Sequence, residues 1–228
     1  MFKLILKEIL EKTYNLHLSQ DTLQTIDKYL RLLLEAPLNL TSIDDYNEAV
    51  HKHVADVLLP IKSLTGNLLD VGTGAGIPGL ILVIVFPIKA TLLDSSKKKI
   101  FWLNDTIKKL NLSNINTVAT RAEDYAKQAR EKFDVVTARA VAEVRILLEL
   151  CAAFAKVGGL LYFYKGPNWK EEYKACVNIE RILNVRLKEV IDYQLATGEK
   201  RSLIIFEKVG PTDPKFPRRY NQILKKPL

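Results

Sequence analysis

The sequence predicts an α/β fold: a seven-stranded, mostly parallel sheet with helices on both faces, six strands parallel and the last antiparallel, behind a helical N-terminal extension. Three observations predict it. From residue 66 onward, short apolar runs alternate with segments of helical spacing, the pattern of consecutive strand–helix units. The last two runs, 187–194 and 201–208, are separated by little more than Ala196-Thr197-Gly198-Glu199, too short for a parallel crossover, so they form an antiparallel hairpin at the sheet edge. A glycine-rich turn, Asp70-Val71-Gly72-Thr73-Gly74-Ala75-Gly76-Ile77-Pro78-Gly79, joins the first strand to a helix.

The elements follow in order. Helical spacing covers about 1–12, 21–34 and 46–59, with Ser19 and Asp21 as caps for the second stretch and Pro37 and Pro60 as breaks. Strands are expected at 67–71, 90–94, 115–119, 133–138, 159–164, 187–194 and 201–208, with helices in the first five gaps. The helix over 77–86 carries Pro78 in its first turn, where a missing N–H does no harm. On the helix after Asp94, Phe101, Trp102 and Ile107 read as core. Beyond 210, prolines at 211, 214, 217 and 227 keep the chain extended. The chain thus divides into an extension over 1–62, a core over 63–210 and a basic tail over 211–228.

Composition narrows the class. A chain of 228 residues with 48% hydrophobic content suits one α/β core with a subdomain. Its first residues interrupt apolar side chains with charge, and its most apolar stretch, 77–88, is too short for a bilayer, so no signal peptide or membrane span is expected. Cys151 and Cys176, taken with His17, His51 and His53, form no metal-ligand spacing, which points to a metal-free protein of a reducing cytoplasm. The net charge of +8 is concentrated in Lys97-Lys98-Lys99 and in the tail, where Lys215, Arg218, Arg219, Lys225 and Lys226 lie with Phe216 and Tyr220 and no acidic residue after Asp213. Such a segment is either a solvated terminus or a strap for a polyanion, with rings available to stack on bases.

The glycine turn calls for a nucleoside cofactor. Glycines accept positive φ and carry no Cβ, so a ligand can lie against bare backbone. Asp94 closes the next strand about twenty residues on, where an acidic side chain of a doubly wound fold reaches a ribose hydroxyl pair. Gly74-x-Gly76-x-x-Gly79 also satisfies the dinucleotide fingerprint. Two features favour another ligand: Asp70 puts a carboxylate inside the motif, which suits a cationic group, and Gly72, Gly74 and Gly76 complete a D-x-G-x-G-x-G pattern that resembles motif I of S-adenosylmethionine-dependent methyltransferases. The expected sheet is similar to the seven-stranded Rossmann-like layout of those enzymes.

Chemistry in an open α/β sheet lies at the carboxyl ends of the strands, where Arg139 and Lys165 follow strands four and five. The fourth-strand exit lacks the Asn-Pro-Pro-Tyr pattern of amine methylation, neither cysteine is placed to attack a pyrimidine, and the Lys-Asp-Lys-Glu set of ribose methylation is missing. Two cations at the lip suit phosphate and guanine O6 and N7. His53 and Asp56, three apart, read as a surface pair or a ligand contact, Asn39 and Thr41 as loop-fixing residues, and Glu123 and Asp124 as helix caps or adenosine contacts. Trp169 is read as base-stacking or as core.

The chain resembles the family of small-subunit ribosomal RNA guanine-N7 methyltransferases, also called glucose-inhibited division protein B. The resemblance runs through Asn39-Leu40-Thr41, His53-Val54-Ala55-Asp56, the 70–79 turn, Leu92-Leu93-Asp94-Ser95, Arg121-Ala122-Glu123, Arg139-Ala140-Val141-Ala142, Lys165-Gly166 and the terminal Lys225-Lys226-Pro227-Leu228. Leu34-Glu35-Ala36-Pro37-Leu38 departs from it, lacking the tryptophan and asparagine that precede Asn39 in the family. It implies S-adenosyl-L-methionine held by the Gly72 loop, Ile77, Ala122, Glu123 and Arg139, with Asp94 on the ribose. The implied substrate is a guanine of small-subunit ribosomal RNA, free or in a ribosomal particle, and a monomer is expected. The alternatives are an RNA-binding or assembly module that keeps the fold, and a nicotinamide-dependent oxidoreductase, for which no Tyr-x-x-x-Lys follows strand four.

Guanine N7 has a lone pair and no proton to lose, so Arg139 and Lys165 are expected to position the substrate without any general base. On this reading, deleting 214–228 makes the salt dependence of single-stranded RNA binding shallower by as much as roughly 3.5 in log–log slope and leaves cofactor binding intact. Filter binding across a salt series checks the first part, and calorimetry the second.

Overall fold

The computed structural model describes residues 2–228. Helix α1 (Phe2–Glu8) runs into a π-helical turn over Ile9–Thr13, followed by α2 (Gln20–Leu34), α3 (Tyr46–Ala49), a second π-helical turn over Val50–Ala55 and α4 (Asp56–Leu58). The core follows as β1 (Asn67–Val71), α5 (Gly79–Val85), β2 (Lys89–Asp94), α6 (Lys97–Lys109), β3 (Ile115–Ala119), α7 (Ala122–Tyr125), β4 (Phe133–Arg139), α8 (Val144–Cys151) and β5 (Ala155–Lys165). Helices α9 (Trp169–Tyr173) and α10 (Val177–Leu183), strands β6 (Val185–Gln194) and β7 (Lys200–Lys208), and α11 (Tyr220–Lys225) complete it. Among the described residues, no helix is long and apolar enough to cross a membrane.

The strands form one sheet in the order β3-β2-β1-β4-β5-β7-β6. The first five strands are mutually parallel, and β7 pairs antiparallel with both β5 and β6. Alternation along each strand sends side chains to opposite faces. Leu68, Leu92 and Val135 join α2, α5 and α6 in one core, whereas Leu69, Val136, Phe163 and Phe206 join α8, α10 and α11 in the other. The N-terminal helices belong to the first core: Leu6, Leu10, Ile26 and Leu30 are fully buried, and the Tyr29 hydroxyl donates to the Ala75 carbonyl at 2.9 Å. Ser19 caps α2, its Oγ accepting from Thr22 N at 3.2 Å, while Asp21 lies within the first turn.

Three expectations are corrected. Phe101 is 78% exposed, because α6 turns Ile100, Leu103 and Ile107 toward the sheet and the next position along the helix faces solvent. Strand β5 begins at Ala155, four residues before the expected start, and takes in both glycines of Gly158-Gly159. The tail is neither wholly extended nor free. No proline falls between Arg218 and Lys226, which allows α11 to form, with Ile223 fully buried beneath it. Arg130 donates to the carbonyls of Phe216 and Thr212, both at 2.6 Å, clamping the approach, and Phe216 is buried.

Arg218 is therefore no longer available to a polyanion. Its guanidinium meets Glu149 of α8 through Nε to Oε1 at 2.7 Å and Nη2 to Oε2 at 2.6 Å, and the Glu149 side chain is only 1% exposed. Removing one partner of such a pair strands the other's charge in the interior. Arg218→Met is expected to destabilise the fold by about 3 kcal/mol, read as a lowered midpoint in urea unfolding.

Candidate functional site

The glycine turn is built around Asp70. Its side chain is fully buried, with Oδ2 accepting from Thr73 Oγ1 at 2.6 Å and Gly79 N at 3.0 Å, and Oδ1 accepting from Thr137 Oγ1 at 2.9 Å. Burial raises its pKa to about 6 against the pull of these hydrogen bonds. The expectation that Asp70 faces the ligand is corrected: the alternation of β1 turns it beneath the turn, toward α5, where its charge organises backbone. Gly79 is glycine for this reason, since a Cβ there would lie 2.8 Å from both Asp70 Cβ and Oδ2. Gly72 has φ of +73°, and a Cβ would lie 2.6 Å from Val141 Cγ2. The peptide edge of Gly72 thus packs close to the β4–α8 loop.

Beside Gly72 opens a cleft lined by Asp94, Thr120, Ala122, Glu123, Val141 and Tyr220 among others. Asp94 Oδ2 accepts from Gly74 N at 2.9 Å and Oδ1 from Ser96 N at 2.8 Å, fixing the carboxylate at the mouth while leaving lone pairs for hydroxyl donors. Glu123 Oε1 accepts from Tyr220 N at 3.1 Å, so this carboxylate ties the tail to α7. Gly74, Gly76 and Ile77 do not line the cleft; Gly74 reaches it only through its N–H to Asp94, and Ile77 packs against the core beside α5. Because Tyr220 is part of the cleft wall, residues 214–228 cannot be removed without opening the cleft, and the expectation that cofactor binding survives their deletion is corrected.

The β4–α8 loop connects this cleft to a second one, lined by Arg139, Ala140, Tyr164, Lys165, Asn168 and Arg201 among others. Arg139 Nη2 lies 3.2 Å from Asp56 Oδ2 and donates to the Lys52 carbonyl at 2.7 Å. Asp56 is buried and also accepts from the Tyr193 hydroxyl at 2.9 Å, with Arg201 Nε 3.7 Å away. Glu143, a possible partner for Arg139 by spacing, instead meets Arg145 at 2.9 Å. Ala140, next in the chain, has φ of +56°, an uncommon conformation for a residue with a Cβ. Lys165 is not a free cation: its Nζ lies 2.6 Å from Glu172 Oε2 and donates to the Ala142 carbonyl at 3.0 Å. Glu172 in turn accepts from Val144 N at 2.9 Å, so the lysine holds the β4–α8 loop in place.

His53 and Asp56 are not a surface pair, since His53 is buried in the π-helical turn and Asp56 at the start of α4. His53 Nε2 shares a hydrogen bond of 2.9 Å with Thr41 Oγ1, which gives Thr41 its place. Burial, and then the Arg139 charge, push the His53 pKa down to about 4. Among the described residues, His53 Nδ1 and Arg139 Nη1 are buried side-chain atoms with no hydrogen-bond partner, an arrangement that calls for an acceptor from outside the chain. Trp169, Cys151 and Cys176 are buried in the second core. Of the tail cations, Lys215 pairs with Asp213 at 3.0 Å, and Arg219, Lys225 and Lys226 are exposed. No group of three His, Cys, Asp or Glu among the described residues could hold a metal.

Asp56, Thr137, Glu172 and Tyr220 complete these clefts without having stood out as their builders. Asp56 and Tyr220 lie in stretches already conspicuous, but Thr137 and Glu172 act through contacts 67 and 28 residues away and carry no local signal.

Residues 22–203 match the GidB family, described as rRNA small subunit methyltransferase G. The protein named ribosomal RNA small subunit methyltransferase G from Pseudothermotoga lettingae is 53% identical over 217 residues, covering 95% of this chain and 96% of that one. Its namesake from Thermotoga maritima is 46% identical over 217 residues, covering 94% and 91%. Among solved structures, M. jannaschii TYW2 in complex with AdoMet superposes with a TM-score of 0.56 at 12% identity, covering 75% of this chain and 81% of that chain, which is a likeness of fold. The chain belongs to the rRNA small subunit methyltransferase G family.

The buried imidazole leaves a signature in stability. With a folded pKa of about 4 against an unfolded value near 6.5, His53 stays neutral in the fold while the unfolded chain takes up a proton, so its contribution is lost as pH falls through that window. Asp70, raised to about 6, slopes the other way, its protonated form gaining stability toward low pH. Subtracting wild-type from His53→Gln stabilities cancels Asp70 and isolates the histidine. That difference is expected to move in the variant's favour by about 3 kcal/mol between about pH 7 and pH 4, measured by urea unfolding.

Proposed function

We propose that this methyltransferase binds S-adenosyl-L-methionine along the path from the Asp94 cleft past Gly72 to Arg139, and methylates N7 of a guanine in small-subunit ribosomal RNA. The observation that carries the cofactor assignment is the unpartnered Arg139 Nη1. A buried guanidinium nitrogen lacking an acceptor fits the carboxylate of the amino-acid end, while Asp94, at the other side of the glycine turn, fits the ribose hydroxyls. Gly72 and Gly74 offer backbone between the two, and Ala122 and Glu123 lie beyond Asp94 for the adenosine. Bound S-adenosylmethionine supplies a methyl on a sulfonium, which N7 takes with a lone pair that carries no proton.

The protein's work is then positioning. Arg139 is held by Asp56 and the Lys52 carbonyl, so its direction is set before any ligand arrives. Lys165 acts through Glu172 and Ala142 on the loop between the two clefts, and the second cleft beside it is the place for the base. Arg219, Lys225 and Lys226, with Lys215 at the start of the tail, are the cations for phosphates. The protein acts in the cytoplasm as a monomer, on RNA alone or in a ribosomal particle.

Single-turnover transfer to small-subunit RNA at saturating substrate is expected to change by less than about twofold between about pH 6 and pH 9, because no proton leaves during transfer. Lys165→Met is expected to slow it roughly tenfold by loosening the loop, with the profile still flat. Reduction and chain scission at N7-methylguanine would locate the product. A pH limb that disappears on mutating one residue would mean the target is an amine or a hydroxyl.

A further inference from the structure

The C-terminal segment reaches the cofactor cleft from outside the sheet, through a residue that neither the glycine turn nor the strand exits would suggest. Among the residues lining the cleft, Tyr220 has the one aromatic ring; Val71, Leu93, Val141 and Leu150 provide aliphatic surface. Its position is fixed from several sides. Its backbone N–H donates to Glu123 Oε1 at 3.1 Å, and the Arg121 guanidinium carbon stands 6.0 Å from the ring centroid. Ile223, one turn on, is fully buried, and Arg218, two residues before, is locked onto Glu149. A half-buried ring at the wall of a cleft, held by contacts on both sides in the chain, is preorganised to meet a flat ligand.

The order of features along the cleft says which part of the ligand it meets. In the strand order β3-β2-β1-β4, Asp94 ends β2, with the glycine turn after β1 and Arg139 at the end of β4 on one side, and Ala122 and Glu123 after β3 on the other, where Tyr220 joins them through its N–H to Glu123. With Asp94 on the ribose, the amino-acid end runs toward Arg139 and the adenine toward Tyr220. We infer that Tyr220 is a cofactor-binding residue whose ring forms the outer wall of the adenine pocket, so that the C-terminal segment is part of the cofactor site. The inference rests on the S-adenosylmethionine reading above. Stacking on a purine needs the ring face and not the hydroxyl, which separates phenylalanine from an aliphatic side chain of similar bulk.

The test is calorimetry of S-adenosylhomocysteine with the full-length wild type, Tyr220→Phe and Tyr220→Leu, alongside their melting temperatures without ligand. Tyr220→Phe is expected to bind within about twofold of wild type and Tyr220→Leu about fivefold more weakly, with ligand-free melting temperatures alike. Equal affinity of Phe and Leu variants would overturn the inference. A second readout does not depend on the Leu variant folding: in Tyr220→Trp, S-adenosylhomocysteine should quench indole emission beyond the change seen in wild type, which already carries Trp102 and Trp169. No added quenching in a variant that binds the ligand would also overturn it. Failure of the wild type to bind S-adenosylhomocysteine would instead overturn the cofactor reading itself.

Discussion

A carboxylate with no access to water is the constraint on which this architecture turns. Asp70 sits at the centre of the sheet, where an unpaired charge would be costly, and three hydrogen bonds hold it: Thr73 from the turn, Gly79 N from the start of α5 and Thr137 from the neighbouring strand. Each of those donors is thereby fixed relative to the others. The turn cannot relax away from β4, α5 cannot lift from β1, and the residue opening α5 must lack a side chain. The backbone of Gly72 meets the cleft in a set position because the carboxylate underneath holds the rest of the turn.

A second buried carboxylate does the corresponding job at the other end of the site. Asp56 comes from the N-terminal helices, Arg139 from the end of β4, and Tyr193 and Arg201 from the β6–β7 hairpin. The N-terminal segment is accordingly no mere appendage to a cofactor-binding core. It supplies the carboxylate that aims the arginine, the Lys52 carbonyl that shares it, and the His53–Thr41 pair alongside. Tyr164 adds a further link, its hydroxyl donating to the Val57 carbonyl at 3.0 Å.

Most of the fold was legible because local rules govern it. Alternating apolar runs located all seven strands, and the short connection after Gln194 announced the hairpin. Asp94 was legible as well, since its carboxylate stands at the mouth of the cleft that its spacing from the glycines suggested. What escaped was decided by tertiary contact. The motif by itself points Asp70 at the ligand, but strand alternation, with Leu68 and Asp70 on the same face, turns it inward. Lys165 and Arg218 read as free cations, yet each has a carboxylate partner, Glu172 and Glu149, contributed by a separate helix. Nothing in the local sequence marks such pairings. The helical tail escaped for a related reason: six residues with no acid in the first turn have little tendency to form a helix alone, and α11 exists because Ile223 finds a buried seat.

The order of strands at the hairpin edge also bears on how the chain assembles as it is made. β6 precedes β7 in sequence but touches the rest of the sheet only through it, since β7 lies between β5 and β6. An emerging chain can join its five parallel strands in turn, but β6 has no edge to dock on until β7 has been synthesised and has folded back. The hairpin must then arrive as a unit, late, and it brings Tyr193 and Arg201 with it. Until that moment Asp56 lacks its hairpin partners, and the exposed flank of β5 is an open strand edge. The interval between the end of β5 and the end of β7 is therefore the window in which a nascent chain is most open to mispairing with another strand.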